Sequence, residues 1–131
     1  MNGDGMTAPA DEASPLRAGT VLVVEDEVLL RLAIAEHLRA TGYRVIEASN
    51  AEEAMRVIDA DAAIALVFTD VNMTGAMDGH ALARWVRKTH PAIKLLVTSG
   101  LAAADCCGTP FIAKPYRFDQ IERLIASMLE P

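Results

Sequence analysis

The chain has 131 residues, 52% of them hydrophobic and 23% charged, which suits one domain with a buried core. A net charge of −6 argues against direct nucleic-acid binding, which requires a basic face. No apolar run approaches the ~20 residues needed to span a bilayer and the start lacks signal-peptide architecture, so no membrane insertion is expected. The adjacent Cys106 and Cys107 rule out a disulfide framework, which fits a reducing, cytoplasmic setting. Residues 1–19, rich in Gly, Ala, Pro and acids, read as a flexible tail, and residues 20–131 as the folded domain.

Strand and helix signals then alternate. Val21 to Val24 is a short apolar strand that runs into three consecutive carboxylates, Glu25, Asp26 and Glu27. A helix is expected from Glu27 to Thr41, ending at Gly42, with Leu30, Ile34 and Leu38 on one face. Arg44 to Ala48 reads as a strand. Ser49-Asn50-Ala51-Glu52 has a capping-box pattern that opens a helix to Asp59. Ala65 to Thr69 is a further strand, Asp78-Gly79 leads into a helix ending at His90, and Lys94 to Thr98 and Phe111 to Ala113 complete five strands. The last helix, Phe118 to Leu129, sets Ile121, Leu124, Ile125 and Met128 at helical spacing. Trp85 is expected to pack on an apolar face, and His37, His80 and His90 to lie on the surface.

Such alternation implies an α/β fold, a doubly wound parallel sheet with helices on both faces, and function at the carboxyl ends of its strands. Those ends carry Glu25 and Asp26, Asp70, Thr98, and Lys114-Pro115. Three carboxylates so close repel one another unless a cation intervenes. Oxygen ligands suit Mg²⁺, held by Glu25, Asp26 and Asp70, with Asn72 able to lend a backbone carbonyl. Lys114 supplies an ammonium and Thr98 a hydroxyl donor. Metal, lysine and hydroxyl together can stabilise a phosphoryl group in transfer, and one carboxylate remains as nucleophile.

In order, VLVVEDE, VFTDVNM, the Asp78-Gly79 helix start, LLVTSG and FIAKPY resemble the motifs of response-regulator receiver domains. The resemblance implies a flavodoxin-like five-stranded sheet of order 2-1-3-4-5 in a phospho-accepting switch of two-component signalling. It implies that Asp70 is the phospho-acceptor, Asp26 a direct Mg²⁺ ligand and Glu25 a ligand mostly through water. Thr98 and Lys114 become the phosphoryl-sensing pair, Phe111 the switch aromatic and Pro115 a cis-proline. The implied partners are a sensor histidine kinase or histidine phosphotransfer protein and a downstream protein target. Such a chain is no enzyme in the usual sense, since it catalyses only its own phosphorylation and dephosphorylation.

Departures from the family pattern bear on output. Thr74 stands where a proline is common, and the stretch from Leu101 to Asp105 is too short for a full helix, so a short or degenerate fourth helix is expected. Gly100 and Asn72 sit where side chains tune phosphoryl lifetime in relatives. Two other readings of the sequence are a phosphorylation-independent docking module and a haloacid-dehalogenase-like Mg²⁺ phosphatase. The second is weakened because Asn72 replaces that signature's acid and cannot supply a proton.

Overall fold

A computed structural model describes residues 19–61, 63–73, 75, 77–99 and 109–130. Its strands are β1 (Thr20–Val24), β2 (Arg44–Ala48), β3 (Ile64–Asp70), β4 (Lys94–Ser99) and β5 (Phe111–Ala113). The helices described are α1 (Val28–Ala40), α2 (Ala51–Ala60), α3 (Gly79–Thr89) and α4 (Phe118–Leu129). All strand pairs are parallel and the sheet order is β2-β1-β3-β4-β5. The doubly wound sheet and strand order expected from the sequence are thus observed. The shortened segment at Leu101–Asp105, together with Thr74, Gly100, Cys106, Cys107 and nearly all of the N-terminal segment, lies outside the described residues.

The central strands are apolar on both faces because helices cover both. Leu22, Val24, Val67 and Leu95 face a core shared with Ala54 and Ile58 of α2 and with Leu82 and Val86 of α3. Val21, Val23, Leu66, Phe68 and Leu96 face a second core with Ile34 and Leu38 of α1 and with Ile121 and Ile125 of α4. This alternation fixes where the next residues point. Glu25, Asp70 and Thr98 continue the α1/α4 series, each two residues beyond Val23, Phe68 and Leu96 respectively. Among the described residues no helix is long and apolar enough to cross a membrane.

Two local expectations change. The cap of α2 is Asn50, whose side chain accepts from the Glu53 N–H, while Glu53 Oε1 accepts from the Ser49 N–H and hydroxyl. The reciprocal pair is shifted one residue from the expected Ser49/Glu52 box, because Ala51 is fully buried and so fixes which turn faces the sheet. His37 is not a surface histidine: it lies edge-on to Phe118, with Nε2 buried between α1 and α4. Trp85 packs against the α2/α3 core as expected and also meets the His90 ring.

Candidate functional site

Asp70 is the last residue of the central strand, and only 4% of it is exposed. Both of its carboxylate oxygens are engaged. Oδ1 accepts the Asn72 N–H at 2.9 Å, and Oδ2 meets Lys114 Nζ at 2.6 Å. The Asp70 carboxylate therefore stands in a fixed orientation at the end of β3, between a backbone donor and a cation. Lys114 reaches it because its own N–H bonds to the Ser99 carbonyl, which keeps the chain beside β4 as β5 ends. The following Lys114–Pro115 peptide bond is cis. Burial alone would lower the Lys114 pKa; the hydrogen bond and negative charge of Asp70 outweigh it and hold the ammonium above its ordinary value.

Glu25, also 4% exposed, ends β1 on the same face. Its Oε2 accepts the Glu27 N–H at 3.0 Å. Burial pushes the carboxyl above the usual range, and the Glu27 N–H only partly counters this. The charge of Asp70 and the Asp26 carboxyl within hydrogen-bonding reach push in the same direction as burial. The rim thus holds more carboxylate than its one lysine can balance. Thr98, register partner of Asp70 on β4, is buried, and among the described residues its hydroxyl has no hydrogen-bond partner. Such an orphaned donor costs about 1–3 kcal/mol unless something else accepts from it.

Asn72, by contrast, is exposed, with its side-chain amide 3.5 Å from the Ser99 hydroxyl. Phe111 lies on the other side of the sheet, half-buried against Val71 and Val97. The site is tight beneath its acids. Gly79, first residue of α3, donates to the Val71 carbonyl at 3.1 Å, and a Cβ there would collide with the Asp70 carbonyl and the Val71 Cα.

The donor set suits a hard cation. Among the described residues no three His, Cys, Asp or Glu side chains form a metal cage. Mg²⁺ needs no such cage, since it keeps several waters and takes one or two carboxylates. Its charge would offset the burial, and after it the Asp70 charge, that lift Glu25, so Glu25, Asp26 and Asp70 fit it. Two features escaped the sequence reading. Tyr116 stacks edge-on against Phe68, its hydroxyl buried and without a partner among the described residues and its pKa pushed up to about 12, mainly by burial and also by Glu25, Asp70 and Glu27. Arg31 donates from α1 to the Glu25 carbonyl at 3.0 Å. Neither is signalled by sequence, since a Tyr after Lys-Pro and an Arg within a helix have unremarkable local patterns.

Comparison with known proteins agrees with this geometry. The family model "Response regulator receiver domain" matches residues 21–126. The sensor kinase CckA of Brucella abortus is 36% identical over 86% of this chain, which spans 13% of that protein. The response regulator FleR of Pseudomonas aeruginosa is 33% identical over 83% of this chain, which spans 24% of it. Among solved structures, the receiver domain from hybrid histidine kinase CckA has a TM-score of 0.75 at 32% identity, covering 86% of this chain and all (100%) of that one. The response regulator TrrA of Thermotoga maritima, in complex with Mg²⁺ and BeF, has a TM-score of 0.76 at 25% identity, covering 85% of this chain and 99% of that one.

Proposed function

The chain belongs to the response regulator receiver domain family, and on that premise we propose that Asp70 accepts a phosphoryl group from a histidine kinase or histidine phosphotransfer protein. The observation that carries the proposal is the buried Asp70 carboxylate held between the Asn72 N–H and Lys114 Nζ, beside the over-crowded acid Glu25. An Asp70 oxygen attacks phosphorus, the P–N bond of the phosphohistidine breaks, and its electron pair returns to the imidazole nitrogen, which then takes a proton. Glu25, Asp26 and Asp70, with the Asn72 carbonyl, are the residues that would hold Mg²⁺. When bound, the ion supplies positive charge beside the transferring oxygens.

The protein's own groups do the rest. Lys114, already on Asp70, exchanges that carboxylate oxygen for a phosphoryl oxygen. The Thr98 hydroxyl gains the acceptor it lacks. Movement of Thr98 onto the phosphoryl group shifts β4 beside Phe111, the register neighbour of Val97, and Phe111 repacks in response. Phosphorylation can bias the two states only through contacts that differ between them, and these are the contacts that differ. Val28, Leu29 and Leu32 leave an apolar strip exposed on α1 at the same end of the molecule, which suits docking of the phosphodonor. The signal then leaves through a downstream protein target.

The test is intact-mass spectrometry after incubation with Mg²⁺ and acetyl phosphate, with Asp70→Asn in parallel. One phosphoryl group, labile to base and hydroxylamine, is expected on the wild type, and none on the variant or without Mg²⁺. An equal adduct on Asp70→Asn would sink the assignment.

A further inference from the structure

Behind the acids lies a cluster in which two arginines, Arg31 and Arg39, meet two carboxylates, Glu47 and Glu36. Glu47 of β2 offers one carboxylate oxygen to each of two arginines on α1. Arg31 Nε reaches Oε1 at 3.1 Å and Arg39 reaches Oε2 at 3.2 Å. Each arginine also donates to a backbone carbonyl: Arg31 through a second nitrogen, Nη1, to Glu25 at 3.0 Å, and Arg39 through the same Nη2 to Val45 at 3.0 Å. Both arginines pair with Glu47, and Arg39 also meets Glu36 Oε2 at 3.3 Å. They differ in the carbonyl each holds, since Val45 lies within β2 whereas Glu25 begins the acidic turn.

A guanidinium held on one side by a carboxylate cannot swing freely, so the carbonyl on its other side is held too. Here that carbonyl belongs to the peptide joining Glu25 to Asp26. The Arg31 side chain is only 16% exposed, which keeps water from replacing it as the donor. We infer that Arg31, braced by Glu47, is a positioning residue that fixes the Glu25–Asp26 peptide and so presents both acids to a divalent cation. This inference rests on the reading of these acids as cation-binding. Residues that orient metal ligands from behind typically change affinity by 10–100-fold when removed.

Electrostatics and positioning predict opposite signs, which makes the inference sharp. Removing a cation near an acidic site should tighten Mg²⁺ binding on charge alone. Loss of positioning should weaken it. Arg39→Ala removes the same charge from the same carboxylate without touching the Glu25 carbonyl, so it serves as the internal control.

The experiment is calorimetric titration of the metal-free full chain with Mg²⁺ alone, with thermal melting of each variant in EDTA. Arg31→Ala and Arg31→Met, the latter keeping the aliphatic bulk against α1, should raise the Mg²⁺ Kd about tenfold. Arg39→Ala should leave Kd within about twofold of wild type or tighter. A wild-type or tighter Kd in Arg31→Met overturns the inference, as does equal weakening in Arg39→Ala, which would indicate general loosening. If the wild type itself binds no Mg²⁺, the reading of the site fails and the inference with it. Binding by the wild type with no change in the Arg31 variants defeats the inference alone.

Discussion

Two clusters of charge adjoin α1, and they are built on opposite terms. In the lateral clasp of Arg31, Glu47 and Arg39, each Glu47 oxygen meets a guanidinium and each arginine also holds a carbonyl. At the strand-end rim, Glu25 and Asp70 are more deeply buried, yet among the described residues the ammonium of Lys114 bonds to Asp70 alone and the Thr98 hydroxyl has no partner. Folding alone favours the first arrangement, because a buried charge or donor without compensation costs stability. A rim that keeps such a deficit is set up for a ligand that supplies what is missing. The contrast locates function more securely than burial or charge does separately.

Gly79→Ala should disturb the rim most. The added methyl meets the Asp70 carbonyl and Val71 Cα, both backbone and neither able to rotate away. Urea unfolding should show a loss of about 1–3 kcal/mol, although alanine ordinarily favours a helix over glycine. A neutral or stabilised variant would mean that the turn under Asp70 yields easily. Thr98→Val, smaller in effect, should run the other way. Replacing a buried hydroxyl that lacks a partner with a methyl should raise stability by about 1 kcal/mol. A destabilised Thr98→Val would show that the hydroxyl is already satisfied and would blur the distinction between rim and clasp.

Glu25→Gln sharpens the same contrast through pH. The folded protein holds the Glu25 proton more tightly than the unfolded chain, whose value lies near 4.5. Deprotonation therefore favours unfolding: in metal-free buffer, stability should fall as pH rises from about 4.5 to the elevated folded pKa. Glu25→Gln should lack that decline, and saturating Mg²⁺ should remove it from the wild type. Melting temperatures taken across this window, with and without EDTA, decide the point. An identical slope in Glu25→Gln would place the strained carboxyl elsewhere.

The sheet was legible because its central strands are largely apolar and its helices carry strong stop signals, such as Gly42 and the His90-Pro91 end of α3. Asp70, Glu25, Thr98 and Lys114 could be gathered from sequence because topology alone carries parallel strand ends to one rim. Side-chain reach could not be gathered in that way. That Asn72 turns its amide towards Ser99, and that Glu53 rather than Glu52 closes the α2 cap, depends on rotamers and on which turn Ala51 buries. Arg31 was invisible for the same reason. Its partners lie 6 and 16 residues away along the chain, and no local spacing announces a side chain that bridges a strand to a turn.

One small cluster has a mechanical consequence. Val71, Val97 and Phe111 form an apolar group of their own, apart from the two main cores. Val71 directly follows Asp70, Val97 directly precedes Thr98, and Phe111 stands three residues before Lys114. At this edge the sheet is a membrane one pleat thick, wet chemistry on one side and three greasy side chains on the other. Successive residues of a strand face opposite sides, so any movement of Thr98 on the acidic side would carry Val97 with it on the apolar side. Phe111, half-buried against Val97 and Val71, would then be the ring that registers it.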